Sequence, residues 1–328
     1  MKKQQKNSSV ISKIGPYNRL IEEATAVIKK YTDGKHAVVA FSGGMDSTLA
    51  LLITKEVIPD IVAVHVDWGM FTYPTIRKKI KTILHTYHIP LHVIYGEDEI
   101  RKLAHRGISC NTCTKRIKLA LIQKYYPTSI IITGANQNDS WGYKGGPYFN
   151  PPFLAPIKNL SKDQEKLILK HKYNIEEFHI GVHPTREGCM LRHLWMPDVD
   201  GNRSILTAKA NLALMQYLEE NHIPHYLANV KVIGNSKTIK FIINVKPTLS
   251  SDHKNNINQI LSQYVPDILW GDQITNLTVV INPSLDNTTG KESIKNIITT
   301  DLVNQDVSIH FIRSKSDFIR LFQVVDAK

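Results

Sequence analysis

The sequence predicts an α/β protein in which a parallel sheet covered by helices is followed by a second, smaller α+β domain. Through the first half, apolar strand-like segments alternate with helical segments of about 10 to 18 residues, which is typical of parallel sheets. After about residue 160 this alternation gives way to short alternating strands. The 328 residues suffice for two domains, expected at 1–185 and 186–328, with residues 1–14 as a disordered tail.

The elements of the first domain follow from the positions of apolar and turn residues. Residues 16–31 carry apolar side chains at helical spacing, and the turn DGK ends this helix before a strand in HAVVAF. The next predicted segments are, in order, a strand in DIVAVHVDWG, a helix in TYPTIRKKIKTILHTYHI, a strand in LHVIYGE, a helix over 114–125, and a strand that runs into a polar loop in SIIITGANQNDS.

The second half is predicted in the same way. SKDQEKLILKHKYNI begins with a serine suited to cap a helix, and ILTAKANLALMQYLEENHI has the pattern of a further helix. The remaining predicted elements are strands in YLANVKVIG and TIKFIINVKP, a helix near 253–264, and strands in NLTVVINP and VSIHFIR. Their order predicts a separate α+β domain.

Composition narrows the class of protein. No apolar run approaches the roughly 20 residues that span a bilayer, and the polar opening MKKQQKNSSV lacks the apolar stretch of a secretion signal. Three cysteines are too few for a disulfide framework, which favours a reducing compartment. We therefore expect a cytoplasmic protein with no membrane partner. The net charge of +12 suits a polyanion, although the basic residues form no block.

The stretch SGGMDS follows the first predicted strand directly, where parallel sheets bind ligands. Its two glycines allow the backbone to approach an anion, and the following helix would present unpaired N–H groups. The stretch is not a Walker loop, because no lysine follows the glycines, and it is not G-x-G-x-x-G. The alternative is a tight strand-to-helix turn without a ligand.

SGGMDS resembles the phosphate-binding loop of the PP-loop ATP pyrophosphatase superfamily. The resemblance implies cleavage of ATP between its α and β phosphates, which leaves an adenylated acceptor and pyrophosphate. It also implies that Asp46 helps to place Mg²⁺. The nucleotide-binding residues that it implies are the loop residues Ala40, Phe41, Ser42, Gly43, Gly44, Asp46 and Ser47, the second-strand residues His65, Val66 and Asp67 near the adenine, and Gly134 and Asn136 after the fourth strand.

Cys110 and Cys113 form a C-x-x-C at the start of a predicted helix, and Cys189 stands alone. The helix dipole and the nearby Lys115 and Arg116 favour thiolates there. From the residues alone a redox pair, a half-site for zinc or for iron and sulfur, and unremarkable small residues all remain open. A Cys₄ zinc site is excluded by number, but Cys₃His with His193 or His183 is not.

The segments CNTCTKR, IIITGANQNDS and the third cysteine together resemble the sulfur-inserting branch of the superfamily. That branch includes tRNA thiolases of the TtcA and TtuA type. NQNDSWGYKGG and EGCMLRHL are similar to stretches of the LarE family, which sulfurates a small pyridine-derived cofactor precursor. The resemblance implies a [4Fe–4S] cluster held by Cys110, Cys113 and Cys189, and the expected catalytic residues are Asp46, Asp139, Cys189 and Arg192.

This resemblance predicts an ATP-dependent, cluster-dependent sulfur transferase. Its partners would be a small-molecule or tRNA acceptor and sulfide or another sulfur donor, and we expect a homo-oligomer. Asn138-Asp139 and the stretch MLRH after Cys189 depart from the LarE pattern, and about 80 residues after 245 have no counterpart in it. Trp141 and Trp195 are candidates for stacking on a ring or for packing. An amide-forming PP-loop ligase and a non-catalytic nucleotide-binding module are the alternatives.

Overall fold

The computed structural model describes residues 15–139, 147–175 and 188–328. The α-helices in these ranges are α1 (Asn18–Thr32), α2 (Met45–Val57), α3 (Pro74–Thr86), α4 (Glu97–Ala104), α5 (Cys110–Cys113), α6 (Leu119–Tyr125), α7 (Lys162–Tyr173), α8 (Asn202–Glu220), α9 (Ser251–Ser262) and α10 (Thr288–Thr300). The strands are β1 (Ala37–Ala40), β2 (Val62–Asp67), β3 (Leu91–Tyr95), β4 (Ile130–Ile132), β5 (Phe149–Asn150), β6 (Phe153–Leu154), β7 (Leu227–Gly234), β8 (Ile239–Lys246), β9 (Asp267–Trp270), β10 (Asn276–Ile281), β11 (Ser308–Arg313) and β12 (Phe322–Ala327).

The first compact unit comprises Met1–Asp67, Pro74–Gly96 and Lys118–Val182, and its sheet has the strand order β3-β2-β1-β4-β6-β5. The strands are parallel except β5, which runs antiparallel to β6. Alanine and valine fill β1 and isoleucine fills β4, and nearly all of these residues are buried, because helices cover such sheets on both faces. The predicted α/β class is confirmed.

The pairing of β1 with its neighbours determines which residues meet at the carboxyl edge of this sheet. β1 pairs with β2 on one side and with β4 on the other, so the carboxyl ends of these strands meet at one edge. Helix α2 follows β1 after four residues, and its residues from Ser47 to Thr54 are all buried. The loop between β1 and α2 is therefore held by a buried strand and a buried helix.

The second compact unit comprises Trp68–Tyr73, Glu97–Ile117 and His183–Lys328. Its strands form sheets in the orders β7-β8-β9 and β11-β10-β12. In each sheet the central strand, β8 or β10, pairs in parallel with the strand that follows a helix and antiparallel with the strand on its other side. The two halves of this unit thus repeat one arrangement of strands and helix.

Residues 194–195 join these two sheets. The Trp195 N–H donates to the carbonyl of Val232 in β7 at 2.9 Å, and the Val324 N–H in β12 donates to the carbonyl of Trp195 at 2.9 Å. Trp195 also belongs to one apolar core with residues of both sheets, among them Ile242 and Leu277. The segment after Cys189 is therefore anchored between two sheets.

Several elements lie close to their predicted positions, such as α7 behind its Ser161 cap and α9 at Ser251–Ser262. The sequence patterns missed α4, α10, β5, β6, β9 and β12. The disordered tail at 1–14, Trp141, His183 and the boundary near residue 185 all lie outside the described residues, and the division at 185 and 186 stays a prediction. Across the described ranges, none of the helices combines the length and apolarity needed to cross a membrane.

Candidate functional site

The SGGMDS loop (Ser42–Ser47) connects β1 to α2 in the first unit. Gly43 has φ +77°, a backbone conformation that glycine adopts without strain, and Gly44 precedes the helix in an extended conformation. The hydroxyl oxygens of Ser42 and Ser47 lie 3.0 Å apart and form a hydrogen bond that closes the loop. The first N–H groups of α2 have no partner within the helix, so this loop can bind an anion.

A pair of carboxyl groups lies beside the loop. Asp46, in the first turn of α2, forms an ion pair with Lys162 of α7. Glu165 of α7 is fully buried, and neither of its carboxyl oxygens has a hydrogen-bond partner among the described residues. Burial first, and then the nearby Asp46 carboxylate, raise the pKa of Glu165 to about 9. Glu165 is therefore protonated at neutral pH.

The turn after β4 approaches the loop closely. A Cβ atom placed on Gly134 would lie 2.6 Å from the carbonyl carbon of Asp46 and 2.6 Å from the backbone nitrogen of Ser47. Such distances are far below van der Waals contact, so only glycine fits at this position. Gly134 therefore packs against the loop, and its expected place in the nucleotide site stays a prediction.

The polar segment after Gly134 has its own hydrogen bonds. The Asn136 N–H donates to a carboxylate oxygen of Asp139 at 3.1 Å, and the Asn136 side-chain oxygen accepts from the Asn138 N–H at 2.9 Å. Asn136 is fully buried, and its side-chain nitrogen has no partner in the part of the chain that the structure describes. Asp139 thus shapes this turn, whereas its predicted catalytic role remains a prediction.

His65 and Asp67 occupy the end of β2 and are both buried. The Nδ1–H of His65 donates to the carbonyl of Phe41 at 3.0 Å, and burial of the ring lowers the pKa of His65 to about 4. The ring is therefore neutral, and its buried Nε2 is a hydrogen-bond acceptor with no partner among the described residues. Asp67 accepts two hydrogen bonds from Arg77, at 2.6 and 2.8 Å.

Comparisons with known proteins match this part of the chain. A family model described as "Queuosine biosynthesis protein QueC" matches residues 36–109. The chain is 43% identical over 51 residues to one of the subunits of the glutamine-hydrolysing GMP synthase of Methanococcus vannielii, a match that covers 15% of this chain and 16% of that protein. It is 28% identical over 78 residues to glutamine-hydrolysing GMP synthase of Ehrlichia canis, which covers 24% of this chain and 15% of that protein.

These matches support the resemblance of this part of the chain to the PP-loop ATP pyrophosphatase superfamily. An uncharacterized protein of Methanocaldococcus jannaschii is also similar, with 28% identity over 134 residues, or 38% of this chain and 32% of that protein. The chain thus spans less than a third of the length of each of these relatives. The sulfur-inserting branch that the sequence resembles is not among these matches.

The PP-loop region has the features that a magnesium nucleotide requires. In the described residues of this unit, buried polar atoms without a hydrogen-bond partner occur on Glu165, Asn136 and His65, and ligand groups commonly satisfy such atoms. The Asp46 side chain offers hard oxygen ligands of the kind that Mg²⁺ prefers, whereas the protonated Glu165 carboxyl is a poor ligand. The loop and Asp46 fit the ATP and Mg²⁺ that the resemblance to the PP-loop superfamily implies.

The cysteines of this protein all lie in the second unit. Cys110 begins α5 behind Ser109, whose side chain caps the helix by accepting from the Thr112 N–H, and the Cys110 side chain is exposed. Cys113 and Cys189 are half-buried. Within the described residues no three His, Cys, Asp or Glu side chains are grouped closely enough to hold a metal ion. The donor chemistry fits an iron–sulfur cluster, but convergence of the three thiols is not confirmed.

A network of charged side chains surrounds the segment after Cys189. Arg192 donates to both oxygens of Asp301, at 2.9 and 2.5 Å, and the Lys231 ammonium donates to Asp301 at 2.8 Å. Lys231 Nζ also lies 2.9 Å from Nδ1 of His193 and 4.6 Å from the ring centre of Trp195. Trp195 therefore packs within the protein and against a cation.

The pKa values in this network follow from burial and from the ion pairs. Burial lowers the pKa of Lys231 to about 8, although Asp301 opposes this, and burial holds the pKa of His193 well below its ordinary value. Burial alone would raise the pKa of Asp301, but Lys231 and Arg192 outweigh it and lower that pKa. His193 is neutral at pH 7.

Sequence motifs did not identify several residues of the loop region in the first unit and of the charge network in the second unit. Lys162 and Glu165 lie in a helix that was predicted from its cap, but no motif marked them. Arg77, Lys231 and Asp301 gave no signal at all, because each acts through a partner more than nine positions away in the chain. Burial of a charged residue is a tertiary property that a single sequence does not display.

Proposed function

We propose that the protein is an ATP-dependent enzyme that adenylates an acceptor and then transfers sulfur to it. The observation that carries the first step is the loop itself, where Gly43, Ser42–Ser47 and the N-terminus of α2 form an anion site next to Asp46. In this reaction an acceptor oxygen attacks the α-phosphorus, the bond between the α and β phosphates breaks, and pyrophosphate leaves. A sulfur nucleophile then displaces AMP from the acceptor.

The PP-loop residues have separate roles in this proposal. The N–H groups at the start of α2 and the hydroxyls of Ser42 and Ser47 bind the departing pyrophosphate. Asp46, which forms an ion pair with Lys162, would hold the Mg²⁺ ion, and Lys162 would supply positive charge beside the phosphates. The acceptor nitrogen Nε2 of His65 takes a hydrogen bond from the adenine amino group. Mg²⁺, when bound, supplies charge neutralisation of the phosphates.

The sulfur step is supported by the three thiols of the second unit. Cys110 begins α5 with an exposed side chain, and Cys113 and Cys189 are half-buried. A [4Fe–4S] cluster held by Cys110, Cys113 and Cys189 would, when bound, supply a sulfide for the acceptor. The acceptor is a small molecule or a tRNA.

Two measurements test this function. With Mg²⁺ and the non-cleavable analogue AMPCPP, calorimetry should detect binding to the wild type and a loss of at least about tenfold in affinity in Asp46→Asn, since one charged contact contributes about 1.5–3 kcal/mol. Asp60→Asn removes the same charge from an exposed turn and should bind normally. Equal affinities in all three proteins would contradict the assigned role of the loop.

The second measurement is the iron and sulfide content of anaerobically purified protein. The cluster proposal requires both elements in the wild type and their loss in Cys113→Ser. A colourless, iron-free wild type would refute the cluster.

An amide-forming ligase is the second candidate, because two of the similar proteins are described as glutamine-hydrolysing synthases. It would consume ATP with ammonia in place of sulfide. Detection of an aminated product from an iron-free protein would favour it over sulfur transfer.

A further inference from the structure

Strand β11 (Ser308–Arg313) lies at the end of its three-stranded sheet. Among the described residues it pairs only with β10, in parallel and without a register shift. The N–H groups of Ser308 and Ser314 donate to carbonyls on the β10 side at 2.9 Å each. Because peptide groups along a strand alternate between its two edges, the N–H and C=O groups of the odd-numbered residues form the outward edge. These residues are Ile309, Phe311 and Arg313.

The sequence of β11 favours pairing with another strand. The stretch SIHFIR contains no proline and no acidic residue, and its single arginine, Arg313, is its last residue. Ile312 is 41% exposed, on the face of the strand opposite to Phe311. Natural proteins protect free edges with charges inside the strand, with prolines or with bulges, and β11 has none of these. The edge is therefore open to a partner strand.

A cleft of about 740 Å³ lies between β11 and α10. Ile309 and Phe311 line this cleft and also pack against the apolar core that the two sheets share. Both side chains are only partly buried, so each keeps apolar surface that a partner side chain could cover. Because side chains alternate along a strand, a strand added at this edge would place every second side chain in the cleft.

The charges around the cleft favour a second copy of this chain as the partner. Lys291 and Lys295 are positive, and Glu292 and Asp306 are negative. A peptide or a nucleic acid with one sign of charge would meet like charge in the cleft. In a second copy related by a twofold axis, the same mixed set of charges runs in the opposite direction. Opposite charges can then face each other.

The two ends of β11 also carry opposite charges. Asp306 lies just before the strand, whereas Arg313 and Lys315 lie at its end and just after it. Asp306 and Lys315 are exposed, and Arg313 lies 4.0 Å from Asp286. An antiparallel arrangement of two β11 strands brings the acidic end of one to the basic end of the other. A parallel arrangement would bring like charges together.

We propose that β11 is a dimerisation edge, which pairs antiparallel with β11 of a second copy of the chain about a twofold axis at Phe311. In this register the outward peptide groups of the two Phe311 residues exchange hydrogen bonds, and Ile309 lies opposite Arg313 of the second copy. On the other face His310 lies opposite Ile312, and aromatic and β-branched pairs of this kind stabilise antiparallel sheets. An axis at His310 would instead place two imidazole rings opposite each other.

Sedimentation equilibrium of the full chain over a series of protein concentrations tests the proposal. The wild type should show a reversible equilibrium between monomer and dimer. Ile312→Lys places a lysine inside the interface twice and should weaken dimerisation at least about tenfold. Ile297→Lys is the matched control and should dimerise like the wild type. Ile297 is 39% exposed and lies about 200° around α10 from Lys295, on the flank away from the cleft.

Hydrogen exchange of the wild type locates the interface. The amide groups of Ile309, Phe311 and Arg313 should exchange more slowly as the protein concentration rises and the dimer forms. This measurement stands whether or not the lysine variants fold. A wild type that stays monomeric over the whole series, equal dimerisation constants for the two lysine variants, or exchange at these amides that does not depend on concentration would each overturn the proposal.

The dimerisation edge does not depend on the proposed function. It uses no residue of the SGGMDS loop and none of the cysteines, and its tests need neither ATP nor an acceptor. A monomeric protein would therefore leave nucleotide binding and iron content to be judged on their own measurements.

Discussion

Replacing Glu165 by glutamine should change how the stability of the protein depends on pH. The Glu165 carboxyl is fully buried, and burial together with Asp46 raises its pKa from 4.5 to about 9. Between those two values the folded state holds a proton that the unfolded state has released. Stability is therefore lost as pH rises, by about 1.4 kcal/mol per pH unit for one group. From pH 6 to pH 8 the loss amounts to about 3 kcal/mol.

Glutamine mimics the protonated carboxyl in shape and cannot ionise. The free energy of unfolding of Glu165→Gln, relative to that of the wild type, should thus increase by about 3 kcal/mol between pH 6 and pH 8, because only the wild type loses stability over this range. Urea denaturation followed by far-UV circular dichroism at pH 6, 7 and 8 measures this difference. Other titrating groups, such as Lys231 with a pKa of about 8, are present in both proteins and cancel. Parallel stability curves for the two proteins would show that Glu165 is ionised in the folded state.

Two further variants examine the nucleotide site. Gly134→Ala should weaken binding of magnesium AMPCPP at least about tenfold and destabilise the protein by about 1–3 kcal/mol, because the new methyl group collides with the backbone of Asp46 and Ser47. Gly15→Ala, where the methyl group meets nothing within 4 Å, should behave as wild type, and equal effects in the two variants would exclude the steric explanation. His65→Phe should reduce the preference for ATP over ITP by about tenfold, since inosine lacks the amino group that His65 Nε2 would accept from. Competition binding with ATP and ITP measures this preference. An unchanged preference would show that the adenine does not contact His65.

The parts of the site that could be predicted are those whose structure depends on residues close together in the sequence. The SGGMDS loop could be recognised from the sequence because Gly43 and the first residues of α2 lie within six consecutive positions. Gly134 was expected in the nucleotide site from the resemblance to the superfamily; the structure shows that it lies against the backbone of Asp46. Strand alternation likewise predicted the parallel sheet, since apolar β-branched runs are required when both faces are covered.

The residues that were not predicted have roles that depend on contacts with residues far away in the chain. Glu165 has the pattern of an ordinary helix-surface glutamate in KDQEKLILK, and only the packing of α7 shows that it is buried. Asp301 is separated from Arg192 by 109 positions and from Lys231 by 70 positions. Elements α4, β9 and β12 are short or flanked by polar residues, so their periodicity is weak.

The choice between sulfur and nitrogen chemistry rests on residues that the family model does not reach. That model ends at residue 109, immediately before Cys110, so it supports the use of ATP and does not cover the cysteines. An amide-forming ligase uses ammonia and needs no cluster, whereas the proposed sulfur transferase needs the three thiolates to hold one. Because the family model does not reach the cysteines, the iron and sulfide content of the purified protein decides between the two reactions.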